Sequence, residues 1–132
     1  MDSPFVGIWS YRSFISNPDL TVAFNALRFG MGTLTITEPS IGVVGGTIGG
    51  PGWQLNLQGW LTYGNPFTIR FQGTGIIDNE NWAYDYLGYL SPHWPNGINQ
   101  RPASSARSYA RCRTRRGQAP AGDVASWIAV RQ

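Results

Sequence analysis

Glycine and proline interrupt this chain every few residues, 17 of one and 9 of the other in 132 positions, and that punctuation leaves little room for a long helix. The runs between the interruptions alternate with period two, the mark of strands with two unlike faces. They are "VGIWSYRSF" (6–14), "GTLTITE" (32–38), "IGVVGGTI" (41–48), "WQLNLQGWLTY" (53–63), "FTIRFQGTGII" (67–77), "WAYDYLGYL" (82–90), "ARSYARCRT" (106–114) and "DVASWIAVR" (123–131). Short turns are expected at "EPS", "GGPG", "GNP" and "DNEN". The fold class that follows is all-β: an eight-stranded antiparallel up-and-down β-barrel, in one domain spanning 1–132. Closing the meander into a barrel removes exposed edges, and Gly45, Gly46, Gly59, Gly73, Gly75 and Gly88 supply the bends a small barrel needs.

Two segments break the strand pattern. "NPDLTVAFNALRF" (17–29) opens on an Asn17-Pro18-Asp19 start signal and spaces Leu20, Phe24 and Leu27 as a helix would. It is read as one or two helical turns, or a lid, after the first strand. "SPHWPNGINQRPASS" (91–105) is read as a long loop.

The alternation assigns faces. Trp53, Leu55, Leu57 and Leu61 oppose Gln54, Asn56, Gln58 and Trp60; Phe67, Ile69 and Phe71 oppose Thr68, Arg70 and Gln72. Trp82, Tyr84 and Tyr86 oppose Ala83, Asp85, Leu87 and Tyr89. Period two separates two faces without saying which one lines the interior.

Composition excludes several functions. The single Cys112 allows no internal disulfide and no multi-cysteine metal site, and the single His93 allows no histidine-only zinc site. No metal and no cofactor is expected. The seven carboxylates lie mostly in turns and form no evident catalytic pair. "GGTIGGPG" lacks the Lys-Ser/Thr and the following helix of a phosphate loop and reads as a hairpin. No apolar run is long enough for a transmembrane helix, and "MDSPF" lacks the basic and apolar regions of a secretory signal, so the expected setting is cytoplasmic, with no membrane partner.

All ten cations are arginine, and six of them lie between Arg101 and Arg116. The net charge of +3 therefore describes one segment and not the whole surface. "ARSYARCRTRRG" can be read as a basic patch. It can also be read as the product of two compensating frameshifts over about residues 104–118, because the composition shifts abruptly and reverts at "VASWIAV". The reading adopted includes no nucleic-acid partner.

Gly7-x-Trp9 on the first strand of such a meander resembles the calycin superfamily of lipocalins, fatty-acid-binding proteins and avidins. The resemblance implies a calycin-like barrel in which Trp9 plugs the closed end and an arginine of the last strand packs across it. Here that is Arg131, with Arg12 as the alternative, and Gly7, Trp9 and Arg131 are structural residues. The chain departs from those families in their ligand sites: no avidin-like polar pattern follows the tryptophan, and no fatty-acid-binding arginine pair is present.

Aromatic residues without a catalytic dyad point to binding of a small apolar or aromatic ligand, with Trp82, Tyr84, Tyr86, Arg70, Trp60 and His93 as the lining. An enzyme of cyclase or isomerase type would use His93 and Asp85 with nearby tyrosines. The third reading is a structural or oligomerisation module. Aromatics in excess of what one small barrel can enclose, Trp60 and Trp94 among them, point to a homodimer.

Overall fold

The computed structural model describes residues 3–16, 19–64, 67–90, 96, 103–110 (main chain only) and 124–132. It is an all-β fold: a curled antiparallel sheet in which each strand pairs with the next in sequence. The strands are β1 (Gly7–Ile15), β2 (Arg28–Ser40), β3 (Val43–Gly50), β4 (Trp53–Thr62), β5 (Thr68–Ile77), β6 (Glu80–Leu90), β7 (Ala103–Ala110) and β8 (Val124–Arg131). β8 also pairs with β1, from Trp9 opposite Arg131 to Ile15 opposite Ala125.

Each strand forms where its alternation lets one face enter an apolar core. On β4, Leu55, Leu57 and Leu61 are buried while Gln54, Asn56, Gln58 and Trp60 are exposed. On β5, Ile69, Phe71 and Ile77 are buried and Arg70 and Thr74 exposed. The concave face collects these with Trp9, Tyr11, Leu34, Ile48, Tyr84, Tyr86 and Trp127 into one core. Burying a side chain of this size contributes about 1.5–3 kcal/mol. Ser13 is the one buried polar side chain among the described residues, and its hydroxyl accepts the Gly30 amide at 2.9 Å.

The turns fall where backbone chemistry permits. Pro51-Gly52 closes β3–β4, with Gly52 at φ 81°, so "GGTIGGPG" is a hairpin. Asp78 and Asn79, both at positive φ, close β5–β6 in the left-handed region that short hairpins require.

Three boundaries differ from those expected. "EPS" does not turn. Glu38, Pro39 and Ser40 continue β2, and the chain reverses at Ile41-Gly42. The Glu38 carboxylate accepts the Gly42 and Ser3 amides, each at 3.0 Å, which fixes the reversal after it. A register shift between Thr37 and Ser40 accommodates proline, which has no amide to donate. Among the described residues of the 17–29 stretch, helix is limited to one 3₁₀ turn, Phe24–Leu27. Asp19 accepts both the amide and the hydroxyl of Thr21, a local turn that competes with helix initiation, and β2 already begins at Arg28. β7 starts at Ala103, inside the stretch read as a loop.

Candidate functional site

One end of the sheet is built around Trp9. It is fully buried, and its indole N–H donates to the Phe5 carbonyl at 2.9 Å. The Arg131 guanidinium lies 4.8 Å from the ring centroid, a cation–π contact. Through Nη2 it also donates to the carbonyls of Pro4 and, at 3.1 Å, Val6. Arg12 is exposed on the opposite face of β1. Gly7 stands beside this group at φ 144°, a conformation that a side chain would strain. These contacts tie the segment before β1 to the last strand.

The remainder of the concave face carries a run of touching rings. Trp82 contacts Tyr84 at 6.2 Å between centroids, Tyr84 contacts Tyr86 at 6.3 Å, and Tyr86 stacks on Phe71 at 4.8 Å. Tyr11 and Trp127 close the cluster, each within 6.4 Å of Tyr86. β6 provides the run because its alternate residues face inward, and β1, β5 and β8 each add a ring from an inward position. Burial pushes the Tyr86 phenol well above its ordinary pKa; the neighbouring Tyr11 and Tyr84 phenols and a hydrogen bond with Tyr11 act in the same direction. A neutral hydroxyl in an aromatic wall is suited to hydrogen bonding. Among the described residues, the buried indole N–H groups of Trp82 and Trp127 have no hydrogen-bond partner.

The structure thus brings Trp82, Tyr84 and Tyr86 together. Two other expected lining residues lie elsewhere: Trp60 and Arg70 are exposed side by side on the convex face, at paired positions of β4 and β5. Their strands turn Leu61, Ile69 and Phe71 inward, and strict alternation sends Trp60 and Arg70 out. Asp85 is on the convex face as well, accepting from Gln72 Nε2 at 3.4 Å, so β6 holds it on the face opposite Tyr84 and Tyr86. His93, Trp94, Cys112 and the arginines from Arg101 to Arg116, at the level of side chains, lie outside the described residues.

Sequence reasoning missed a cleft of about 400 Å³ beside the 3₁₀ turn, lined by Phe14, Phe24, Leu27, Ser126 and Ile128 among others. Phe14 and Phe24 stack there at 4.4 Å. Trp127, on β8, is a further buried ring that alternation alone does not set apart. The available signal was the pair of apolar residues Phe24 and Leu27 in a segment too short to bury them itself.

Among the described residues no group of three His, Cys, Asp or Glu could hold a metal ion, and no helix is long and apolar enough to cross a membrane. Comparison with protein-family models, with curated proteins and with solved structures finds no match to this chain.

Proposed function

We propose that the chain is an eight-stranded up-and-down barrel of the calycin kind that binds one small, largely apolar or aromatic molecule among its inward-facing rings. The return of β8 onto β1 and the Trp9–Arg131 contact support the architecture. The Phe24–Leu27 turn, held by the Phe14–Phe24 stack, acts as a short lid at the end opposite Trp9.

The observation that carries the ligand reading is the ring cluster of Trp82, Tyr84, Tyr86, Tyr11, Phe71 and Trp127, inside which the Trp127 indole N–H has no partner among the described residues. An aromatic wall with a few polar groups is the usual make-up of a small-molecule site. A buried donor without an acceptor costs about 1–3 kcal/mol, which a ligand oxygen or ring nitrogen would recover. The same burial that raises the Tyr86 pKa would penalise a charge on anything bound beside it, which favours an uncharged ligand.

Native mass spectrometry of the protein purified from its own source tests this. The expected spectrum contains a species carrying one small molecule per chain. A bare chain, together with no quenching of tryptophan fluorescence by 2-acetylnaphthalene, defeats the reading.

A further inference from the structure

We propose that the cleft beside the 3₁₀ turn is a second binding site, on the convex side of the sheet, for a small aromatic molecule that carries one acidic group. The cleft holds about 400 Å³, inside the roughly 300–1,000 Å³ of small-molecule sites. Register fixes its side. Ala125 and Trp127 are buried on the concave face, and Ser126 between them is exposed. Phe14 pairs with Ser126, and Ile128 repeats the outward position two residues on. Phe24 and Leu27 come from the turn that folds against these strand ends. The Phe24 ring stacks on Phe14 at 4.4 Å, yet Phe24 is 65% exposed, so its other face is open to a ligand ring.

Charge selects the acidic group. Arg28 follows Leu27 and pairs with Phe14, while Arg12 pairs with both Ile128 and Met31. The Arg28 Nη1 lies 3.9 Å from the Met31 sulfur, which brings this guanidinium toward the row that holds Arg12. Both arginines are exposed, and neither has a carboxylate partner among the described residues. Asp19, the described carboxylate nearest in sequence, accepts the Thr21 amide and hydroxyl. Glu38, at the far end of β2, accepts the Ser3 and Gly42 amides. On the other flank, the β7–β8 register sets Arg107 at the position opposite Ser126. Asp123 lies outside the described residues. Like charges on adjacent strands repel, and a bound anion relieves that repulsion. A planar guanidinium takes a carboxylate or sulfonate through two parallel hydrogen bonds.

The apolar lining selects the rest of the molecule. Phe14 and Phe24 offer a stacking platform, and Leu27 and Ile128 offer aliphatic walls. Trp127 borders the cleft from β8, but its ring packs with Tyr11, Phe71 and Tyr86 on the concave face. That interior disfavours a charge, whereas the exposed arginines at the cleft leave an anionic group in contact with water. The inference is independent of the interior ligand reading.

Titration of the full chain with 8-anilinonaphthalene-1-sulfonate, followed by the fluorescence of the probe, tests it. One probe per chain is expected, bound more weakly as salt rises. Arg12→Gln and Arg28→Gln should each weaken binding by about tenfold, the loss of one charge-assisted contact, and flatten the salt dependence. Phe24→Ala should weaken binding while leaving the salt dependence unchanged. All three side chains are exposed, so thermal melting should match the parent; should Phe24→Ala melt earlier, the two arginine variants decide. Quenching of tryptophan fluorescence by 2-acetylnaphthalene should be the same in all three variants, which separates failure of this site from failure of the interior reading. Absence of probe binding, an affinity unchanged in the arginine variants, or displacement of the probe by 2-acetylnaphthalene overturns the proposal. So does sedimentation of the chain with phosphatidylglycerol vesicles without binding of the free probe, which would assign this face to a membrane surface.

Discussion

Tyr86 and Gly88, two residues apart on β6, show how the concave face constrains single positions. Folding raises the Tyr86 pKa through burial first and its phenol neighbours second. The sign follows from linkage: the stability held by the neutral phenol is complete below the unfolded value near 10 and is lost as pH rises through the folded value. Denaturation between pH 8 and 12 should therefore show stability falling on the alkaline side, and Tyr86→Phe should flatten that fall. An unchanged alkaline slope in the variant would assign the loss to other groups. Gly88 is glycine because the Trp127 ring lies against it: a Cβ there would come within 2.6 Å of the indole. That ring is itself hemmed in by Tyr11, Phe71 and Tyr86. Gly88→Ala should cost about 1–3 kcal/mol by overpacking, read as a lower urea midpoint at unchanged slope.

At the scale of elements, β1 and β8 are clamped by one side chain. Arg131 covers Trp9 and donates to the Pro4 and Val6 carbonyls, so the segment before β1 is held by the last strand. The main chain adds a bond from the Gln132 amide to the Ile8 carbonyl at 3.0 Å. Arg131→Ala removes the guanidinium's stacking and both of its hydrogen bonds and should destabilise by about 2–3 kcal/mol. Hydrogen exchange should show faster exchange at the Trp9 indole and at the Val6 amide, which donates to the Ser3 carbonyl. Retained protection at both positions would mean that the clamp is dispensable. Arg131→Lys should recover part of the loss, since an ammonium keeps the charge without the planar fork.

At the scale of the whole molecule, the concentration of six arginines between Arg101 and Arg116 is the feature least consistent with the rest of the chain. Tryptic mapping of protein from its source should lack the short peptides ending at Arg111, Arg113, Arg115 and Arg116, and the intact mass should depart from 14.5 kDa, if those residues come from a shifted reading frame. Recovery of the peptides at the expected masses removes that reading and restores the basic segment. The all-β class, most strand positions and the pairing of residues into faces on β4, β5 and β6 were legible in sequence, because period-two alternation and turn chemistry are local properties. Local signals also placed the hairpins at Pro51-Gly52 and Asp78-Asn79. Which face is concave was not local. Trp60 and Arg70 point outward and Trp127 inward only because curvature puts Leu61, Ile69 and Phe71 inside. The partner of Trp9 depended on the β1–β8 register, which sets Arg131 and not Arg12 over the ring. The Phe14–Phe24 cleft needed an irregular segment to fold back against the end of a strand, a contact between parts of the chain that no periodicity records.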